Sequence, residues 1–147
     1  MLKKLVVTTV LISSALVTGC ATVPMASPER DRQAKSFVVK PDMSNIYIYR
    51  NESMGAAIKM PVVVDRYDVG DTAAKTYLLV ETNPGRHTII SKAENDSILE
   101  VNTQPGSNYF VWQEVKMGLM YARSKLQLVD EATGKAGVEE CELATTR

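Results

Sequence analysis

The chain has one histidine and two cysteines in 147 residues, and its formal net charge is zero. A structural zinc site is built from four Cys and His ligands, so the supply here is too small. Lys and Arg are scattered, and no basic run tracks an aromatic platform, which leaves nucleic-acid binding unsupported. No nucleophile-elbow signature accompanies the single histidine, His87. The spacing of a calcium-binding EF-hand loop is missing too. The longest apolar stretch, Leu5 to Val17, has 13 residues. As a helix it would reach roughly 20 Å at about 1.5 Å per residue, short of the roughly 30 Å bilayer core.

What is present begins at that stretch. Lys3 and Lys4 form a short basic start, the apolar stretch follows, and Val17-Thr18-Gly19-Cys20 closes it. An A-x-A-like site, the mark of an ordinary secretory signal, is missing. The arrangement resembles a bacterial lipoprotein signal with its lipobox. The plain alternative is a secreted protein whose Cys20 happens to follow the leader. The resemblance implies residues 1–19 as a signal helix, cleavage before Cys20, and acylation of that sulfur. Each buried CH₂ contributes about 0.8 kcal/mol, so two or three chains would anchor the protein permanently where one would not. An Asp after the cysteine commonly retains such proteins in the inner membrane. Position 21 is Ala, which implies the outer membrane, on its periplasmic face.

Removing 19 of 147 residues leaves 128, enough for one domain with a core. Loss of Lys3 and Lys4 takes 17 basic residues to 15 against 17 acidic ones, a balance of −2. Residues 20–43 contain Pro24, Pro28 and Pro41 and read as a flexible tether, with a short strand or helix around Phe37–Val39. From residue 44 to 147 the texture is that of short strands: Ile46–Tyr49, Pro61–Tyr67, Thr76–Glu81, His87–Ser91, Ser97–Asn102, Tyr109–Val115 and Ala122–Val129. Asn83-Pro84-Gly85-Arg86 and Gln104-Pro105-Gly106-Ser107 place Pro before Gly, as type II turns require. Val69-Gly70-Asp71 and Ala132-Thr133-Gly134-Lys135 read as further turns, and no helix of ten or more residues is evident after the leader. The expected fold is all-β: one antiparallel sandwich of about seven strands, immunoglobulin-like or transthyretin-like, with a small barrel as the alternative.

If every connection reverses direction, loops 51–60, 82–85 and 103–107 lie at one end. Loops 68–74, 92–96 and 116–121 then lie at the other, where the tether enters the first strand. The order of pieces also carries a resemblance. Ile46-Tyr47-Ile48-Tyr49-Arg50 is followed by Met54-Gly55-Ala56-Ala57, a Val-rich strand ending near Val69-Gly70, and Pro84-Gly85-Arg86-His87. Pro105-Gly106 then precedes Tyr109-Phe110-Val111-Trp112, and Leu126-Gln127-Leu128-Val129-Asp130 comes last. From Met43 to Glu139 this resembles the bacterial lipoprotein domain catalogued as domain-of-unknown-function family 2846. The resemblance implies no activity and no catalytic residues. Asp65-Arg66-Tyr67-Asp68 departs from the Asn-Gly or Asp-Gly hairpin expected there.

The candidate sites are few. His87 with Ser91 or Ser97 would be needed for a serine hydrolase; a surface strand histidine is the plain reading. Met25, Met43, Met54, Met60, Met117 and Met120 invite Cu(I), though spread methionines more often fill cores and pack loops. Asp65, Asp68 and Asp71 around Gly70 resemble a calcium loop without its spacing. Cys141, in the acidic run Glu139–Glu142, reads as a buried or tolerated thiol, or else as one half of an intermolecular disulfide. Two loops are unusually apolar: Met54 to Ile58, and Met117, Gly118, Leu119, Met120 and Tyr121. They either cap the core or form an adaptable docking surface for a protein, peptide or lipid. The sequence thus predicts a lipid-anchored envelope protein that acts as a non-enzymatic accessory or binding module. It attaches to the membrane through Cys20, takes an envelope protein partner, and uses no nucleic acid, cofactor or metal. A His87 hydrolase and a copper-handling lipoprotein are the alternatives.

Overall fold

The structure, a computed structural model, describes residues 19–147. The leader up to Thr18 lies outside the described residues. Two sheets pack face to face, so the expected β-sandwich is present. It has more strands than expected and a third, helical layer.

The first sheet contains β1 (Ser44–Arg50), β4 (Thr76–Thr82), β7 (Ser107–Met117), β8 (Ala122–Val129) and the short β9 (Glu142–Leu143), in the order β8-β7-β1-β4-β9. The second contains β2 (Met60–Val64), β3 (Tyr67–Thr72), β5 (Gly85–Lys92) and β6 (Asp96–Thr103), in the order β3-β2-β5-β6. Every residue of β1 is buried. A central strand covered on both faces reads as an unbroken apolar run, which accounts for the texture of Ile46–Tyr49. Ile46 and Ile48 enter the core between the sheets with Val62, Leu78, Ile89, Val101 and Val111. Tyr47 and Tyr49 face the other way, into a second core with Tyr77, Phe110 and Val138. There Tyr47 stacks on Phe110 with ring centroids 5.1 Å apart.

Two short helices, of seven and nine residues, cover that second core; both are shorter than the ten residues that the sequence reading excluded. α1 (Pro28–Ala34) is built from local signals: Ser27 caps it, accepting from the Arg30 amide, and Pro28 opens it. Asp31 on α1 accepts from the Tyr77 hydroxyl (2.9 Å) and the Leu143 amide (2.9 Å), which ties the helix to β4 and β9. Burial works against ionisation of Asp31, but its hydrogen bonds from Lys35, Tyr77 and Leu143 outweigh that and hold its pKa down. The element expected around Phe37–Val39 is not there; Phe37 instead takes a positive φ of 55° and packs on Tyr47 and Phe110. α2 (Glu131–Glu139) replaces the turn expected at Ala132–Lys135. Asp130 caps it through the Thr133 amide at 2.9 Å.

The segment expected as a flexible tether is packed on the domain. The Ala21 amide donates to Ala56 O (2.8 Å), Val23 enters the inter-sheet core, and Met25 forms a β-bridge with Ala144. At the far end of the segment Met43 O accepts from the Gly106 amide (2.7 Å). Residues 20–43 therefore run the length of the sandwich before β1 begins.

Two strands are missing from the sequence reading, the two-residue β9 and, with larger consequences, β3. Pro61–Tyr67 is not one strand; it turns at Asp65-Arg66, both with positive φ (49° and 75°). This is a two-residue hairpin of the mirror-image type, made without the usual glycine. The extra strand changes the direction of every strand after it. β1 and β7 are consequently parallel neighbours, with Ser44 opposite Ser107 and Tyr49 opposite Trp112, and β4 and β9 are parallel too.

Candidate functional site

Parallel β1 and β7 finish at the same end of the sandwich, so the two apolar loops emerge together. This corrects the expectation that loops 51–60 and 116–121 lie at opposite ends. Glu52 Oε2 accepts from the Val115 amide at 2.7 Å and so links the first loop to β7. Ile58 packs with Met60, Val115 and Ala122 in a small cluster beneath both loops. Ile58 is thus a core cap, whereas Met54 is exposed. Met117, Leu119 and Met120 stand clear of the core, at 87%, 93% and 87% exposure, and Tyr121 is exposed beside them.

Cys20 is exposed and precedes Ala21, whose amide is bonded to Ala56 of the first loop. The Cys20 sulfur and both apolar loops therefore share one end. An open cleft of about 400 Å³ lies at this end between Ala21–Val23 and Ala73–Thr76.

In each loop a charged side chain binds several backbone groups. Arg50, at the end of β1, is fully buried. Its Nη1 donates to Ile58 O (2.7 Å) and its Nη2 to Gly55 O (2.6 Å), with Met54 O at 3.4 Å. Burial pulls the Arg50 pKa down, while the charge of Glu52 opposes that. Sequence reasoning missed this role. The only hint was a cation directly abutting an unbroken apolar strand. The second loop is held by the opposite charge. The Glu94 carboxylate accepts from the amides of Leu119 (2.9 Å), Met120 (3.0 Å) and Tyr121 (3.2 Å). Those three bonds hold the Glu94 pKa below the usual carboxylate range. A Cβ at Gly118 would lie 2.3 Å from Glu94 Oε2, so a glycine there lets the carboxylate reach in.

The remaining candidates are engaged elsewhere. His87 Nδ1 lies 2.5 Å from Asp65 Oδ2 and Nε2 lies 2.7 Å from Asn83 O. This clamp joins two turns at the end remote from Cys20. Ser91 Oγ accepts from Gln113 Nε2 (2.6 Å), and Gln113 Oε1 accepts from Thr72 (2.5 Å), so Ser91 belongs to a buried bridge between the sheets. Ser97 Oγ accepts from the Leu126 amide at 2.9 Å. Asp68 and Asp71 both bind the Arg147 guanidinium, at 2.7 and 2.9 Å, and Asp65 binds His87, so the three do not converge. Met60 is buried, and among the described residues no three His, Cys, Asp or Glu side chains are placed to hold a metal ion. Cys141 is buried and its Sγ faces Arg50 O at 3.6 Å. Desolvation pushes its pKa up to about 12, which suppresses the reactive thiolate. Among the described residues no helix is long and apolar enough to cross a membrane.

Residues 40–125 match the family model described as protein of unknown function DUF2846. The chain is also similar to an uncharacterized protein of Haemophilus influenzae, 34% identical over 134 residues that cover 89% of this chain and 79% of that protein. No solved structure matches with significance.

Proposed function

The chain belongs to the DUF2846 family, and from that premise we propose that it is a bacterial envelope lipoprotein, anchored through Cys20, that serves as a non-enzymatic binding module. Its place is the outer membrane, facing the periplasm, with an envelope protein as partner. The observation that carries the reading is Cys20 itself. It ends a lipobox-like run, and its side chain is exposed. The non-enzymatic part is supported by the engagement of His87, Ser91 and Ser97 in structural hydrogen bonds.

The test is metabolic labelling with an alkyne palmitate, followed by membrane fractionation. The native chain is expected to carry label and to sediment with outer membranes. Cys20→Ser is expected to lose label to background and to leave the lipidated fraction. Label persisting in Cys20→Ser, or an unlabelled native chain, would remove the lipoprotein reading.

A further inference from the structure

We propose that the loop end of the sandwich is itself a lipid-contacting face: Met54, Met117, Leu119, Met120 and Tyr121 rest in the headgroup–acyl boundary of the membrane that holds Cys20. The inference rests on the reading of Cys20 as the acylation site and adds a second, non-covalent contact to it.

Three observations converge on a lipid surface as the occupant. The first is continuity. Cys20 sits one residue from the Ala21–Ala56 bond, so an acylated sulfur brings the Met54 loop to the membrane. No flexible stretch separates anchor from domain, because residues 21–25 are already bonded to the fold. The second is backbone chemistry. Entering an apolar boundary is costly for free N–H and C=O groups. Here the amides of Leu119, Met120 and Tyr121 are satisfied by Glu94. The carbonyls of Gly55, Ala56 and Ile58 are satisfied by Arg50 and Ala21. Pairing these six backbone groups within the protein lowers the cost of bringing the loop side chains into lipid. The third is charge and side-chain type. Lys59 and Arg123 are exposed at the rim of these loops, suited to anionic headgroups. Met and Leu at the tip with Tyr beside them match the apolar and amphipathic residues that settle at membrane interfaces.

The test uses the full-length acylated chain, reconstituted into vesicles of phosphatidylethanolamine and phosphatidylglycerol. An environment-sensitive fluorophore is placed at Leu119→Cys, at Met54→Cys, or at Gln104→Cys on the opposite end. The mass of the N-terminal peptide reports acylation in the same samples. The expected result is a blue-shifted emission, quenched by brominated lipid, at positions 119 and 54, with water-like emission at 104. An acylated chain whose label at 119 behaves like that at 104 would overturn the inference and leave the lipoprotein reading standing. A label at 119 that shifts in native envelopes but not in pure vesicles would also overturn it, and would assign the face to a protein. An unacylated chain would remove both.

Discussion

Arg50→Met is expected to lower stability by about 2–4 kcal/mol and to release the Met54–Ile58 loop. Two effects oppose each other. Methionine removes a buried cation, and replacing buried ions with apolar groups is sometimes stabilising by about 1–4 kcal/mol. That holds when the partner groups are replaced as well. Here the partners are backbone carbonyls of Gly55 and Ile58, which stay. Hydrogen bonds to a charged group contribute about 1.5–3 kcal/mol each, and an acceptor left buried and unpaired costs about 1–3 kcal/mol. Gly55 O keeps the Ile58 amide as a donor, so the loss of both charged bonds, with Ile58 O left unpaired, is what outweighs the relief of desolvation. Denaturant unfolding gives the size of the loss. Hydrogen exchange gives its location, because the amides of Ala21 and Ile58 donate to Ala56 O and Gly55 O in this loop and should lose protection first. An unchanged midpoint with both amides still protected would show that Arg50 does not organise the loop.

Gly137→Ala is expected to destabilise by about 2 kcal/mol, which for a chain of this size lowers the melting temperature by about 5–10 °C. A Cβ there would lie 2.2 Å from Tyr49 Cε2 and 2.5 Å from its Cζ. Tyr49 is itself buried and cannot swing aside. The same helix places Gly134 against Phe110, with a Cβ distance of 2.1 Å to Cγ. Alanine gains about 1 kcal/mol over glycine in a helix interior, whereas overpacking costs about 1–3 kcal/mol or more. At such distances the steric cost wins, since α2 would have to lift off the sheet. A raised melting temperature, as expected of a solvent-facing helical glycine, would contradict the packing described.

These two positions also show where the sequence was legible and where it was not. The strands β5 to β8 follow from alternation and from the Pro-Gly turns, and β1 from its run of β-formers. Strand alternation is a local property, and local patterns reach that far. α2 was hidden because its buried face is Gly134, Gly137 and Val138. Glycine chosen for close approach to aromatic rings reads as a turn signal in a one-dimensional pattern. β3 was hidden because Asp65-Arg66 makes a glycine-free hairpin and because Gly70 looked like a turn but lies inside a strand. One missing strand inverted the parity of all later ones and set the two apolar loops apart.

The tether supplied a compensating error. The Met117–Tyr121 loop was expected beside Cys20 because the tether was taken to enter β1 at that end. β1 in fact begins at the opposite end, and residues 20–43 double back along the domain. Prolines at 24, 28 and 41 suggested a free linker; Ser27-Pro28 starts a helix instead. Arg50 and Glu94 were unreadable for a different reason. Their roles depend on which carbonyls and amides the fold brings to them, and no spacing in the sequence encodes that.

The central claim is that Cys20 and both apolar loops occupy one end of the sandwich. The most direct test is a nitroxide on Cys20 of the unacylated 20–147 chain, with broadening of backbone amide signals as the readout; buried Cys141 stays unlabelled. β7 has 11 residues and spans roughly 35 Å at about 3.3 Å per residue, so the two ends are well resolved. Strong broadening across residues 54–59 and 117–122, with sharp signals at 85 and 104–107, is the predicted result. Sharp signals at 117–122 with broadening at 104–107 would place the loops at opposite ends and contradict the account.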